Sequence, residues 1–170
     1  LGGPQCVALT ATATSAVRDD IIRVCALRAP RVLVGGFDRP NLRFEVRRVA
    51  SRGRRDATLV DALRTANGAA VAYAQSRARV ERIATALRRE GVAAAAYHAG
   101  QWSDQRRATQ EAFMTGKLRV IVATSAFGMG VDKSDVRVVV HDAIPPSLEA
   151  YYQEAGRAGR DRRRATCVLL

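Results

Sequence analysis

The sequence predicts an α/β fold in which a parallel sheet carries helices on both faces, and three observations lead there. Strand-sized runs of Val, Ile and Ala alternate with segments of helical apolar spacing along the whole chain. Several of the strand runs are apolar at every position, as expected of strands buried on both faces. Such strands, joined by helices, pair in parallel because each crossover lays its helix on a face of the sheet.

In chain order, strands are expected at residues 6–12, 31–35, 69–74, 92–97, 118–124, 136–141 and 165–170. The helical stripes between them are Val17, Ile21, Val24 and Cys25; Leu59, Val60, Leu63 and Ala66; Val80, Ile83, Ala84 and Leu87; Ala108, Ala112 and Phe113; and Leu148, Tyr151, Tyr152 and Ala155. Thr14, Ser76, Ser103 and Ser147 stand where a side-chain oxygen would accept the free amides of a first helical turn. Gly91 and Gly116 stand where a left-handed residue would end a helix. Gly35-Gly36-Phe37-Asp38-Arg39-Pro40-Asn41, followed by the polar, extended run Leu42 to Val49, breaks the rhythm. It marks the expected domain boundary, with residues 1–36 before it, too few to fold alone, and residues 37–170 after it.

Composition narrows the function classes. With 48% hydrophobic residues in 170, the chain can bury a core, and its apolar runs are too short to span a membrane, so no membrane partner is expected. Cys6, Cys25 and Cys167 are odd in number and lack CxxC spacing, which argues against a disulfide framework or a thiolate zinc site and fits a reducing, cytoplasmic setting. Leu1-Gly2-Gly3-Pro4 has no basic region leading an apolar one, so no secretory signal is expected, and the chain reads as part of something longer. The net charge of +12 has the sign of a protein that handles polyanions. The 26 Arg and 31 Ala also point to a biased composition, so charge alone does not decide.

Several familiar sites are excluded by spacing. The Gly116-Lys117 pair lacks the first Gly and the hydroxyl of a phosphate-binding P-loop, with Glu111 and Leu118 in those places. Gly128-Met129-Gly130 begins like a dinucleotide fingerprint, but Lys133 occupies the third Gly position. GxSxG, HExxH and an Asp-Glu dipeptide for magnesium are absent.

The remaining chemistry collects where strands end, the place at which parallel sheets bind ligands. In Gln153-Glu154-Ala155-Gly156-Arg157-Ala158-Gly159-Arg160-Asp161, two arginines three residues apart are expected on one helical face, with small residues between them. A guanidinium fork suits phosphate oxygens, and such a pair can act across a cleft as an arginine finger. Thr124-Ser125-Ala126-Phe127-Gly128-Met129-Gly130-Val131-Asp132 offers hydroxyls and amides for a nucleic-acid backbone and a carboxylate for a ribose hydroxyl; an ordinary strand-to-helix connection reads the same residues equally well. Ser76 is a helix cap whatever else it does, while Arg77, ill placed for the helix dipole, is better explained by a phosphate. His98 is a candidate by position alone, since a lone His is more often structural. Thr10, Thr12 and Thr14 alternate along a strand that runs into a helix, where Thr is also an ordinary strand residue and cap.

Together these residues resemble the second half of the motor core of a RecQ-type DNA helicase, in helicase superfamily two. Ala8 to Thr14 resembles the coupling motif that closes the first RecA-like domain, and Phe37 to Asn41 the inter-domain segment. Ala95-Ala96-Tyr97-His98-Ala99-Gly100 resembles a family run, Ala126 to Asp132 with Asp135-Val136-Arg137 the fifth motif, and Gln153 to Asp161 the sixth. The resemblance implies a RecA-like helicase C-terminal domain at 37–170 and the end of the first RecA-like domain at 1–36. It implies Arg160 as arginine finger, Arg157 as its neighbour in ATP sensing, and Gln153, Asp132 and Gly130 on the nucleotide side. It further implies Ser76, Arg77, Thr124 and Ser125, with His98 beside them, on single-stranded DNA, and Thr10 and Thr12 as coupling residues.

The implied activity is 3′ to 5′ translocation on single-stranded and forked DNA, nucleoid-associated, with ATP and magnesium bound mainly by a first RecA-like domain in cis; no metal site is expected in this chain. Ala74-Gln75 in place of Cys-Asn, Ala155 in place of Thr and Arg162 in place of Gly depart from the family pattern. Without a P-loop the chain alone is expected to be inactive. The alternatives are a non-catalytic nucleic-acid-binding module or degenerate helicase fragment and, matching the fifth and sixth motifs less well, an RNA-remodelling relative.

Overall fold

The computed structural model describes residues 5–10, 13–35, 38–128 and 131–170. The chain divides into two units, Leu1–Asp38 and Arg39–Leu170.

Among its described residues the first unit holds one helix, α1 (Ser15–Val24), capped as expected by the Thr14 hydroxyl, which accepts the Val17 amide at 3.4 Å. The strands expected at 6–12 and 31–35 do not form: residues 5–10 and 31–35 carry no ladder, and residues 11 and 12 lie outside the described residues. A strand holds only when its backbone groups pair with a neighbour, and two short runs make no stable sheet by themselves. Their side chains stay in solvent, with Leu9 91% and Leu33 79% exposed.

The second unit is the expected parallel sheet. Its strands are β1 (Leu42–Val46), β2 (Ala69–Tyr73), β3 (Ala94–Tyr97), β4 (Val120–Ala123), β5 (Val136–His141) and β6 (Ala165–Leu169). They lie in the order β1-β6-β5-β2-β4-β3, with every pair parallel. The polar run after Pro40 supplies β1, which sits at the edge, where Arg43 and Glu45 can face water.

Helices α2 (Arg52–Arg64), α3 (Arg77–Arg89), α4 (Ser103–Met114) and α5 (Leu148–Ala155) cover the sheet. Alternation along each strand sorts the core into two layers. Ala70, Ala72, Val120 and Val122 pack with Leu59 and Leu63 of α2 and with Val80, Ile83 and Leu87 of α3. Val71, Tyr73, Ile121 and Val139 pack with Phe113 of α4 and Ala155 of α5 on the opposite face. The small residues of β2 and β3 let α3 lie close to the sheet.

Ser76 and Ser147 cap α3 and α5 through the amides of Arg79 and Ala150, and Gly91 and Gly116 take the left-handed conformation after α3 and α4, at φ +74° and +79°. Ser51 caps α2 in the same way. Ser103 does not cap α4: it is already helical, and Trp102 holds the extended capping position without a side-chain bond. Asp104 in the first turn complements the free amides instead.

Leu87 is fully buried, so Leu87→Ala is expected to lower stability by about 2–5 kcal/mol in urea unfolding. Leu148→Ala, at a side chain 75% exposed, is expected to cost less than about 0.5 kcal/mol.

Candidate functional site

Because all six strands run the same way, their carboxyl ends share one edge of the sheet, and the segments after β2, β3, β4 and β5 meet there. Between the segments after β2, β4 and β5 lies an open cleft of about 360 Å³, lined by Gln75, Thr124, Ser125, Ile144, Pro145 and Glu154, with Tyr73 and His141 at its base. Thr124 is half-buried and Ser125 exposed in it. The Thr124 hydroxyl accepts the Ala126 amide at 3.4 Å, while the Thr124 amide donates to the Tyr97 carbonyl at 3.3 Å.

The ends of β2 and β3 meet through Arg77. Its exposed guanidinium rests on Gly100, so close that a Cβ there would stand 2.8 Å from Nη1. Ser76 spends its acceptor on the Arg79 amide at 3.2 Å. His98 is buried, with Nε2 3.0 Å from Glu81 and Nδ1 without a hydrogen-bond partner. A half-buried Arg79 beneath these segments holds the buried Asp142 through two guanidinium nitrogens, the first at 2.7 Å. Its Nη1 also lies 2.5 Å from Asp56, an ion pair outside hydrogen-bond geometry. The bond to Asp142 raises the Arg79 pKa further, against the cost of burial. No spacing in the sequence announces this network.

The two arginines of the Gln153–Asp161 segment do not share a helical face. Helix α5 stops at Ala155, and residues 156–162 pass through successive turns. Gly159 at φ +54° reverses the chain, and its amide donates to Val136 O at 2.8 Å. A helix cannot continue through a left-handed residue, so the arginines diverge. Gln153 remains on α5, exposed. Arg160 turns to the segment after β4, where Nη1 donates to Asp132 Oδ1 at 2.6 Å and Val131 O at 3.2 Å. Arg157 turns inward, with Nη2 3.0 Å from where a Gly128 Cβ would stand and a buried Nε that has no hydrogen-bond partner.

Tyr73 stands beside Arg157. Its hydroxyl donates to Phe127 O at 3.0 Å and its ring stacks on His141 with centroids 5.3 Å apart, while His141 Nε2 lies 2.9 Å from Glu154. Burial pushes the Tyr73 pKa well above the usual range, with Arg157 acting in the opposite direction. A chain of contacts thus runs from the arginine turns to the base of the cleft.

The turns are gripped from far upstream. Arg39 donates to the carbonyls of Gly156, Ala158 and Gly159 at 3.3, 2.9 and 2.8 Å. Asn41 Nδ2 donates to Gly159 O and Arg163 O at 2.8 and 2.9 Å, and Asn41 O accepts the Ala165 amide. Arg137 Nη2 adds a 2.6 Å bond to Asp161. The carbonyls of the turn that follows α5 therefore find guanidinium and amide donors.

Of the other candidate residues, Thr10 lies exposed in the first unit, and Thr12 and Gly130 lie outside the described residues. No group of His, Cys, Asp and Glu that could hold a metal ion occurs among the described residues, and no described helix is long and apolar enough to cross a membrane. Cys167 is buried and its thiol pushed up to about 12 by desolvation; Cys6 and Cys25 are exposed and free.

Comparison with known proteins places this geometry. The family profile described as the helicase conserved C-terminal domain matches residues 54–162. The ATP-dependent DNA helicase RecQ of Pasteurella multocida is 48% identical over 96% of this chain and 26% of its own length. That of Bacillus subtilis is 44% identical over 98% of this chain and 28% of its own length. The chain therefore spans about a quarter of the curated relatives it matches. Among solved structures, Saccharomyces cerevisiae Dbp5 bound to RNA and ADP BeF3 superposes with a TM-score of 0.79 over 94% of this chain and 43% of that one, at 17% identity. The Escherichia coli DEAD-box protein SrmB bound to RraA does so with 0.67 over 75% of this chain and 74% of that one, at 24% identity. At those identities the likeness is one of fold, and it agrees with the expected RecA-like helicase C-terminal architecture.

Gly159→Ala is expected to destabilise by about 2–5 kcal/mol in thermal or urea unfolding, because φ is positive and a Cβ would stand 2.5 Å from Asn41 Nδ2 and 2.7 Å from Arg163 O. The Arg137 bond holds the Asp161 carboxyl below its ordinary 3.8, so its contribution to stability is complete above that pH and is lost as pH falls through the lower folded value. Asp161→Asn is therefore expected to be less stable than the parent at neutral pH, with the difference closing in acid unfolding titrations.

Proposed function

Because the chain belongs to the helicase conserved C-terminal domain family, we propose that it is the second RecA-like domain of a RecQ-type, ATP-dependent 3′ to 5′ DNA helicase, preceded at residues 1–36 by the end of the first. The observation that carries this reading is the pair of diverging arginines in one clamped turn. Arg160 is 35% exposed by side chain and paired with an Asp132 that is 84% exposed. An ion pair so wet is worth about 0–1 kcal/mol, so a phosphate can take the guanidinium from Asp132 at little cost. The fork then meets the charge that develops on the transferred phosphoryl, in the manner of an arginine finger.

Arg157, turned inward with a buried Nε that has no partner, keeps donor capacity unspent, which fits a role in sensing the triphosphate. Gln153, Asp132 and Gly130 belong to the nucleotide side of this arrangement. In this reading the other domain in cis supplies the P-loop and the magnesium site.

Single-stranded DNA is assigned to the shared sheet edge. Thr124 and Ser125 contact its backbone from the cleft, Arg77 from above Gly100, and Ser76 through its hydroxyl hydrogen. His98 orders the segment after β3 through Glu81 and Gln101. The contacts from Arg157 through Tyr73 and His141 to Glu154 give the two ligands a physical connection. Thr10 and Thr12 are the proposed coupling residues on the first-domain side.

In the complete motor containing this chain, Arg160→Ala is expected to lower DNA-stimulated ATP hydrolysis by roughly three to five orders of magnitude while leaving ATP affinity within about tenfold. Hydrolysis at the parent rate would overturn the finger assignment.

A further inference from the structure

The segment after β3 carries a feature that the phosphate contacts leave unused. Trp102, the only tryptophan of the chain, is 85% exposed, whereas no other described Phe or Tyr is more than half exposed. Scattered exposed aliphatics need no explanation, but an indole in water forgoes the burial of a large apolar ring.

The backbone that presents it is held firmly. Arg106 Nη1 donates to Ala99 O at 3.3 Å and Gln101 O at 3.1 Å. Gln101 Nε2 donates to Ala96 O at 3.1 Å, and Gln101 Oε1 accepts the His98 amide at 3.1 Å. Trp102 is thus displayed from a braced turn, and ordering that turn costs a ligand nothing more.

The surroundings are basic. Arg77 rests on Gly100, two residues before the indole, and Arg106 and Arg107 follow on α4, the latter paired with Asp104 at 3.2 Å. Arginines beside an exposed, pre-ordered aromatic are the combination that holds single strands, in which guanidinium groups track the backbone and a ring takes a base.

We propose that Trp102 is a stacking platform for one base of the single-stranded DNA that Arg77 contacts through its phosphates. This rests on the strand-contact role given above to Arg77 and adds a base contact at the β3 end of the edge. The site is tolerant of sequence, since every base offers a π face, and it sets the position of the strand rather than its identity.

As the sole tryptophan, the residue reports on itself. At about 50 mM salt, where phosphate contacts are strongest, an oligothymidylate is expected to quench the fluorescence saturably. An abasic oligonucleotide of equal length is expected to bind with little quenching. Trp102→Ala is expected to weaken oligothymidylate by about 5- to 150-fold in fluorescence anisotropy of labelled strands, and the abasic strand by less than twofold. Trp102→Phe is expected to retain most of the difference. Matching thermal unfolding of parent and variants checks that the exposed substitution leaves the fold intact. Equal affinities of parent and Trp102→Ala for oligothymidylate would overturn the platform and leave the phosphate contacts standing. Failure of both strands to bind the parent would overturn the strand interface and the platform together.

Discussion

The arginine turn, which lies against the amino ends of β1, β5 and β6, depends on one grip: the guanidinium of Arg39 and the amide of Asn41 on the carbonyls of Gly156, Ala158, Gly159 and Arg163. The last carbonyls of α5 are met within the turn, where Tyr152 O and Ala155 O accept the Gly156 and Ala158 amides, and the carbonyls of the turn itself take donors from upstream. Charge-assisted donors from one arginine satisfy three of them, and such bonds are roughly twice as strong as neutral ones. The turn is thereby fixed against the edge strand β1, which begins at the next residue after Asn41. Arg157 and Arg160 owe their different directions to this fixed backbone.

The grip also explains why small residues fill the segment. Gly159 must adopt a positive φ and admit the Asn41 amide, and Ala158 is fully buried between the turn and the sheet. Gly128, facing from the segment after β4, leaves space for the Arg157 guanidinium. A fixed turn carrying two guanidinium groups suits phosphate recognition: the backbone supplies position, and Arg160 can exchange Asp132 for another anionic partner. The Tyr73–His141–Glu154 contacts lie at the floor of the cleft, so that packed side chains run between the carboxyl edge and the segment that leads into the arginine turn.

Much of this was legible in the sequence, for identifiable reasons. The five helices and the central strands follow from apolar period, and Ser76, Ser147, Gly91 and Gly116 mark their ends through local chemistry. The runs at 6–12 and 31–35 have strand composition, yet composition cannot supply the neighbour a strand needs. The arginine turn misleads because Gln153 to Asp161 has helical spacing, and only the backbone of Gly159 shows that the helix has ended. The Arg39 grip joins residues 117 to 120 positions apart, and the Arg79–Asp142 pair joins residues 63 apart, separations across which no periodicity carries information. Thr124 and Ser125 follow β4 at the carboxyl edge as expected, but the Arg160 turn lies against the start of β5, and motif order did not show that Arg160 would meet Asp132 directly.

The dependence of the arginine turn on Arg39 is open to direct measurement by amide hydrogen exchange across Gly156–Arg163 in the parent chain and in Arg39→Ala, with the core strands β2 and β4 as internal reference. The Gly159 amide, bonded to Val136 O, and the Asp161 amide, bonded to Ser134 O, are the reporters. The grip predicts that both exchange at least tenfold faster in Arg39→Ala while β2 and β4 keep their protection. Unchanged exchange at Gly159 and Asp161 in a folded Arg39→Ala chain would contradict it.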